Sequence, residues 1–461
     1  MTVLAAFMVP HPPLIVPEVG RGGEQQILET TNAYEQVADE VAALKPDTII
    51  ITSPHSVMYA DYFHISPGHR ATGSFADFGA PGVRFSEEYD TELADMISEL
   101  AQEEDFPAGT MGERESSLDH GTMVPLWFIR KKYSSGKIVR IGLAGLPLTD
   151  HYRFGQIIAK AIDRSGKRVV IIASGDLSHK LQKYGPYGFS KEGPEYDKRI
   201  MEVCGNAEFG KLLEFEESLC QLAAECGHRS FVIMAGAFDG LRVKATALSH
   251  QDVTGVGYGI CTFYPDGEDE SRLFLHDYEE KLEKECREKA AANDEYVKLA
   301  RASVESWVKD HRQIPVPGGL PDDMISRAAG TFVSIHKMGQ LRGCIGTIAA
   351  TQDNIAEEII QNAISASTRD PRFDPITADE LKFLDISVDV LGETEDIDSM
   401  SELDVKRYGV IVSHGIKRGL LLPNLDGVDN VEQQVEIARQ KGGISEDEPY
   451  TLQRFEVVRH Y

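Results

Sequence analysis

The stretch Lys167–Lys180, KRVVIIASGDLSHK, determines the expected fold of the N-terminal part of the chain. Val169–Ile172 is a run of four β-branched residues after a charged turn, and such a run predicts a buried strand. The small residues Ala173–Gly175 follow directly, and His179 comes shortly after them. Because ligands in open α/β sheets bind beyond the carboxyl ends of the strands, the stretch predicts a strand that delivers a functional histidine.

Two earlier stretches repeat this order. The apolar run Val3–Met8 leads into Pro10-His11-Pro12-Pro13, and Thr48–Ile51 leads into Ser53-Pro54-His55. Three strands that each precede a histidine predict one common site. Since strand-like runs alternate with helical patterns over residues 1–265, we expect an α/β domain with a mostly parallel sheet and helices on both faces.

Length and composition narrow the class of protein. A chain of 461 residues predicts two or three domains, and a formal net charge of −27 argues against nucleic acid or an anionic membrane as a partner. No run of 18 apolar residues predicts a membrane span, and the N-terminus has no basic region typical of a signal peptide. The six cysteines form no CxxC motif, which indicates reduced thiols and a cytoplasmic protein.

The remaining chain has a different texture. Residues 266–294 are polar and charged, and they predict a helical linker. Residues 295–461 mix short strand-like runs with two helical patterns and repeat nothing of the first part, so we expect a smaller α+β domain there.

Four histidines carry the expected chemistry of the first domain. A single loop histidine is more often structural than catalytic, but four in comparable positions favour a function. His11 and His55, each stiffened by neighbouring prolines, are candidate ligands for iron, zinc or copper, and two such histidines with one carboxylate would form an open site for O2 chemistry. His120 and His179 are candidates for acid–base catalysis, because imidazole both accepts and donates protons near neutral pH.

The four histidines lie in four short motifs, which are Pro10–Pro13, Ser53–His55, Asp119–Leu126 (DHGTMVPL) and Ser174–His179 (SGDLSH). In this order they resemble the motifs of the class III extradiol ring-cleavage dioxygenases of the LigB type, and of the related Memo proteins. In those dioxygenases two histidines and a glutamate bind Fe(II), which implies metal binding at His11 and His55. The resemblance also implies proton transfer at His179 with assistance from His120.

The third metal ligand has two candidates. The dioxygenases place a glutamate at the head of a late apolar helix, which implies Glu225 as the preferred ligand. Memo proteins have a cysteine ahead of a glycine there, and Cys226 matches that cysteine. A thiolate would shift the site toward copper or change the chemistry of iron. We expect an apolar helix at Phe231–Leu241, whose N-terminus would help Cys226 to ionise.

The second part of the chain resembles the AMMECR1 domain over residues 295–461. The run Gln340–Thr347 (QLRGCIGT) predicts a strand whose glycines serve either close backbone packing or a function. Asp370–Phe373 (DPRF) and Gly419–Pro423 (GLLLP) follow in the order of the family. The family has no settled activity, and its association with Memo-like and radical-SAM proteins implies a radical-SAM protein as a candidate partner.

Two functions are therefore expected. The first is a cytoplasmic, non-haem Fe(II)-dependent oxidoreductase of the extradiol type that acts on a catechol-like or other small substrate. The alternative is a Memo-like metal-binding redox adaptor without ring-cleavage activity, which works with a radical-SAM or other partner. Copper and zinc are the alternative metals, and both a monomer and an oligomer remain open.

Overall fold

The computed structural model describes residues 3–425 and 427–461, and the chain divides into two compact units, Met1–Tyr278 and Glu279–Tyr461. The division lies inside the segment 266–294, which the composition marks as a linker. The beginning of that segment belongs to the first unit, because Leu275 is buried in its core. Within the described residues, no helix combines the length and the apolar character that a membrane crossing requires.

The first unit contains ten strands and eight complete α-helices within its described part, and a ninth helix holds the division between the units. The strands are β1 (Val3–Val9), β2 (Thr48–Ser53), β3 (Phe63–His64), β4 (Arg70–Phe75), β5 (Ala80–Glu88), β6 (Ala108–Gly109), β7 (Lys137–Gly142), β8 (Val169–Ser174), β9 (Leu241–Gln251) and β10 (Tyr258–Glu268). The helices are α1 (Pro17–Gly20), α2 (Leu28–Leu44), α3 (Thr91–Glu103), α4 (His120–Lys132), α5 (Leu148–Ser165), α6 (Glu192–Gly205), α7 (Glu217–Ala223), α8 (His228–Gly236) and α9 (Phe274–Ala292).

Six of these strands form the central sheet, in the order β7, β2, β8, β1, β10, β9. The first four are parallel to one another, whereas β10 is antiparallel to β1 and β9 is antiparallel to β10. The run Val169–Ile172 predicted as a buried strand lies in β8, and all six residues of β8 are buried. The expected mostly parallel sheet is confirmed.

Apolar side chains leave the sheet on both faces, as a strand period of two requires. On one face Ile50 and Ile171 pack with residues of α3, α5 and α8. On the other face Ile49 and Ile172 pack with residues of α2 and α4. The expected helical layers on both faces are therefore present. Since β2, β8 and β1 are neighbours, the segments that follow their carboxyl ends meet at one edge of the sheet.

The second unit is an antiparallel sheet with helices. The helices are α10 (Glu295–Asp310), α11 (Asp322–Ser326), α12 (Ile355–Thr368) and α13 (Val431–Lys441), and the strands are β11 (Thr331–Lys337), β12 (Gln340–Gly346), β13 (Leu384–Leu391), β14 (Glu395–Ile397), β15 (Tyr408–His414), β16 (Lys417–Leu421) and β17 (Thr451–His460). The described strands follow the order β12, β11, β13, β17, β15, β16, and β14 pairs with β17. The buried core holds residues of α10 and α12, so the expected α+β class is confirmed.

The glycine-flanked cysteine of the second unit lies on β12, at the edge of this sheet. A β-carbon at Gly343 would lie 2.1 Å from the carbonyl oxygen of Ala366 on α12. Glycine at this position therefore permits close approach of the strand and the helix. Cys344 accepts a hydrogen bond at its sulfur from the hydroxyl of Ser334 on β11 (3.2 Å).

Candidate metal centre

Two histidines lie close together beyond the carboxyl ends of β1 and β2, the strands on either side of β8 in the central sheet. His11 follows β1 by two residues, and His55 follows β2 by two residues. Their Nε2 atoms are 3.0 Å apart, and the ring of His11 is buried. Each histidine follows the end of a strand in the same sheet, and this placement brings the two side chains together.

Ser174, the last residue of β8, determines which nitrogen of His11 is free. The Ser174 hydroxyl donates a hydrogen bond to the carbonyl oxygen of Gly121 (2.6 Å) and lies 2.9 Å from Nδ1 of His11. Because the hydroxyl proton is already used, Nδ1 of His11 is the donor in this second contact. The Nε2 atom of His11 therefore carries a lone pair that faces His55, as a metal ligand requires.

Cys226 completes a group of three potential ligands. Its Sγ atom lies 3.6 Å from Nε2 of His11, and the donor atoms of His11, His55 and Cys226 all lie within 4.8 Å of one another. Bonds of about 2.1 Å to nitrogen and about 2.3 Å to sulfur, at a tetrahedral angle, would separate these two atoms by roughly 3.6 Å. The three residues therefore fit a metal ion.

The structure places Glu225 outside this group. Its Oε2 atom accepts a hydrogen bond from the backbone N–H of His228, the first residue of α8 (2.6 Å). The carboxylate thus satisfies one of the free N–H groups at the start of that helix. The predicted helix Phe231–Leu241 was placed too late, because α8 begins at His228 and Leu241 already belongs to β9.

A close backbone contact holds Cys226 beside His11. A β-carbon at Gly175 would lie 2.0 Å from the Cα atom of Gly227, so only glycine allows the end of β8 to approach this loop. Asp176 adds two contacts: its N–H donates to the sulfur of Cys226 (3.3 Å), and its carbonyl oxygen accepts from the Cys226 N–H (3.3 Å). These contacts link β8 to the cysteine.

His120 lies against both histidines of the group. It is the first residue of α4, and its ring centroid is 4.0 Å from that of His55 and 5.3 Å from that of His11. Asp119 caps α4 by accepting from the N–H of Thr122 (3.0 Å). The same carboxylate accepts from the hydroxyl of Ser53 at the end of β2 (2.5 Å), which ties the His120 and His55 segments together.

His179 is the fourth histidine of the predicted set. It follows β8 by five residues, and β8 lies between β2 and β1 in the sheet, so His179 belongs to the same edge. Its ring lies edge to face with Tyr187 at 5.1 Å. The buried Nδ1 atom has no hydrogen-bond partner within residues 3–425 and 427–461. Backbone groups of Ala224 and Leu177 act on the ring and raise its pKa, but burial is the larger effect and lowers it.

Burial determines the protonation of these groups. It lowers the pKa of His11 well below the ordinary value of 6.5, and the nearby charges of His55, His120 and His179 add to the effect. Burial likewise lowers the pKa of His120 to about 4 and lowers the pKa values of His55 and His179. All four imidazoles are therefore neutral at neutral pH, the form that binds metals and accepts protons.

The pKa of the Cys226 thiol is raised, whereas the sequence predicted that a helix N-terminus would help this thiol to ionise. Burial raises its pKa well above the ordinary value, and the charges of Asp176 and Glu225 add to the rise. Although Cys226 lies close to the N-terminus of α8, that helix end does not offset the rise in the pKa of the thiol. Since the thiolate is the metal-binding form, a cation at the site would have to displace the proton.

Two supporting residues were missed as site residues in the sequence. Ser174 binds His11 at Nδ1, and the Oδ1 atom of Asp176 accepts from the N–H of His11 (2.7 Å). Burial raises the pKa of Asp176 to about 7. The available signal was their type and position, since both are polar residues in the SGDLSH run directly after a buried strand.

Comparisons with known proteins agree with this architecture. Residues 5–261 match the family of the catalytic LigB subunit of aromatic ring-opening dioxygenase, and residues 297–460 match the AMMECR1 family. A protein of Clostridium acetobutylicum is 42% identical over 468 residues, which cover 100% of this chain and 99% of that protein.

Other similar proteins cover a smaller part of this chain. A protein of Thermotoga maritima is 47% identical over 167 residues, which cover 36% of this chain and 96% of its own length. The crystal structure of the uncharacterized protein PH0010 from Pyrococcus horikoshii is 30% identical and covers 36% of this chain and 88% of its own, with a TM-score of 0.33. On its family matches, the chain belongs to the family of the catalytic LigB subunit of aromatic ring-opening dioxygenase, fused to an AMMECR1 domain.

Proposed function

We propose that the LigB domain is a metal-dependent redox protein in which His11, His55 and Cys226 hold the ion. The observation that carries this proposal is the convergence of their three donor atoms within 4.8 Å. Of the two functions considered from the sequence, this ligand set favours the Memo-like one, because Glu225 is engaged with α8.

The donor set restricts the choice of metal. Two imidazoles and one thiolate suit copper, iron and zinc, and of these copper and iron can change oxidation state. A bound iron or copper ion would supply electron transfer and a Lewis-acidic position for a small substrate. We propose iron or copper as the physiological metal, with a radical-SAM or other redox partner acting on the same domain.

The protein's own groups would handle protons around such a substrate. His120 and His179 are neutral and are not among the three ligands, so each can accept a proton from a bound hydroxyl or thiol. We propose His179 as the proton acceptor and His120 in an assisting role, as the motifs shared with the LigB family imply.

Ring-opening dioxygenation is the second candidate function. It is favoured by the LigB family match and by two neutral histidines beside the ligand group. It would require Fe(II), a catechol-like substrate and O2 at the same site. The cysteine in the place of a carboxylate makes this reaction the less favoured proposal.

Metal content of ligand variants tests the proposed site. We expect His11→Ala, His55→Ala and Cys226→Ser each to reduce the affinity for Fe(II) and Cu(I) at least about tenfold in anaerobic chelator competition. The matched control is Glu225→Gln, which keeps an oxygen for the His228 N–H and should retain metal. Unchanged melting of all four variants would show that the fold is intact. If only Glu225→Gln loses metal, the ligand assignment is wrong.

Oxygen consumption separates the two candidate functions. The Fe(II)-loaded protein should consume no stoichiometric O2 with a panel of catechols and form no ring-opened product if the redox proposal is correct. Ring-opened product in the parent and its loss in His179→Gln, with metal retained, would instead favour the dioxygenase.

A further inference from the structure

A hydrogen-bonded pair of an aspartate and a histidine, of which the aspartate is buried, lies outside the metal centre on the chain segments that surround His179. Asp197 on α6 is 2% exposed, and its Oδ2 atom lies 2.7 Å from Nε2 of His250 on β9. Although burial opposes it, the hydrogen bond and the negative charge of Asp197 raise the pKa of His250. Asp252 is the other charged group that acts on both members of the pair.

The second oxygen of Asp197 binds the backbone next to His179. Oδ1 accepts a hydrogen bond from the N–H of Ser178 (2.8 Å). The carbonyl oxygen of Ser178 accepts from the N–H of Gly257 (2.8 Å). The hydroxyl of Ser178 donates to the carbonyl oxygen of Ala223 (2.8 Å), which also accepts from the N–H of His179 (3.1 Å). Three separate parts of the chain thus hold this one residue, and Asp197 provides the charged contact.

Burying a carboxylate to satisfy one backbone N–H is energetically unfavourable. A carbonyl oxygen would serve as well without a buried charge, and removing a charge from water is unfavourable unless a partner compensates. His250 is that partner. The pair therefore indicates that the backbone conformation at Ser178 is required for more than the global stability of the unit.

We propose that Asp197, with His250, is a positioning residue that fixes the backbone of the Ser178–His179 segment and thereby the place of the His179 ring at this edge of the sheet. The functional consequence of this positioning rests on the proposed function, in which His179 accepts a proton. The conformation of the Ser178–His179 segment does not depend on a bound metal and can be measured in the metal-free protein.

Amide exchange and NMR of the full-length, metal-free protein test the proposal. Asp197→Ala should accelerate exchange of the Ser178 amide at least about tenfold, while amides of β1 and β2 keep their parental rates. It should also shift the Cε1–Hε1 resonance of His179, assigned with His179→Gln. Asp197→Asn should restore both properties, because its amide oxygen accepts from Ser178 and its NH2 group can donate to neutral His250.

His250→Ala provides a second variant if Asp197→Ala does not fold. It leaves the carboxylate on Ser178 without its partner, so we expect the same local changes at a smaller size. Parental exchange at Ser178 and an unshifted His179 resonance in the folded variants would overturn the proposal. Equal acceleration in β1 and β2 would also overturn it, since Asp197 would then contribute only to general stability.

The metal content of Asp197→Ala distinguishes this proposal from the proposed function. We expect parental metal affinity in chelator competition with Fe(II), because the variant touches none of the three ligands. A protein that binds no metal, yet shows the local changes at Ser178 and His179, would contradict the proposed function and support the positioning role.

Discussion

Single residues decide the chemical form of the candidate metal centre. Ser174 donates to Gly121 and thereby accepts from Nδ1 of His11, so the other nitrogen of that ring is free for an ion. Glu225 and Cys226 are adjacent in the chain, yet the carboxylate caps α8 while the thiol faces His11. One hydrogen bond in each case selects the atom that can act as a ligand.

At the same scale, Glu380 makes the second unit sensitive to acid. Its carboxylate accepts from Lys337 and Arg342 (3.0 Å each) and from the N–H of Thr377 (3.0 Å). Although burial opposes ionisation, the hydrogen bonds from Arg342, Thr377 and Lys337 lower the pKa of Glu380 to about 2. The charged form is therefore stabilised in the folded unit.

We predict that Glu380→Gln removes part of the acid sensitivity of the second unit. A carboxyl with a lowered pKa in the folded state stabilises it above the unfolded value of 4.5, and this contribution is lost as the pH falls toward 2. The parent should lose up to about 3 kcal/mol more unfolding free energy than the variant over this range. Urea unfolding followed at several pH values measures it.

Glu446→Gln is the control for this prediction, since that side chain is 90% exposed. It should reproduce the parental dependence on pH. Identical curves for the parent and Glu380→Gln would contradict the prediction.

At the scale of elements, the site depends on how closely β8 approaches the loop before α8. Gly175 directly follows β8, and Gly227 directly precedes α8. The contact between their backbones brings the cysteine to the end of the sheet where β1 and β2 deliver the two histidines. The geometry of the site is therefore a property of three strands and one helix together.

We predict that Gly175→Ala destabilises the first unit and weakens the metal centre. The new β-carbon would lie 2.0 Å from the backbone of Gly227, so the strand and the loop must separate. We expect a loss of roughly 2–3 kcal/mol in urea unfolding and a lower affinity for Fe(II) in chelator competition. Gly82→Ala is the control, because its new β-carbon would have no described atom within 4 Å apart from its own chain neighbours. Parental stability and affinity in Gly175→Ala would show that the approach is not required.

At the scale of the whole molecule, the division between the units falls within α9. The contact pattern separates the chain after Tyr278, near the start of that helix. The rest of α9 belongs to the second unit, where Glu283 pairs with Lys382 (3.3 Å) and Lys289 pairs with Asp385 (2.9 Å). The segment 266–294 thus contributes to both units.

We predict that the second unit folds alone from either starting point, 279 or 295. Both fragments should melt cooperatively, since the buried core of the unit lies in residues 297–390 and beyond. The longer fragment should be more stable by roughly 1–2 kcal/mol, because it retains Asp294, which caps α10 by accepting from the N–H groups of Tyr296 and Val297. Its additional ion pairs are largely exposed and contribute little. Thermal unfolding compares them. An aggregated 295–461 fragment without a cooperative transition would place the boundary of the domain earlier.

The amino-acid sequence by itself determined the strands that precede the candidate histidines and both family matches. The apolar runs before His11, His55 and His179 predicted buried strands, and β1, β2 and β8 are those strands. The motifs around these histidines also predicted the LigB family match, and the runs of the second part predicted the AMMECR1 match. Local patterns suffice here, because strand formation and burial depend on side-chain type and period.

Only the tertiary structure decided which of two neighbouring residues faces the metal centre. The choice between Glu225 and Cys226 depends on the free N–H groups at the start of α8 and on the contact of Gly175 with Gly227. These partners are distant in the chain or depend on where a helix begins, and the sequence prediction placed that beginning three residues late. Burial also raises the pKa of the Cys226 thiol well above its ordinary value, and burial is a property of the whole packed unit.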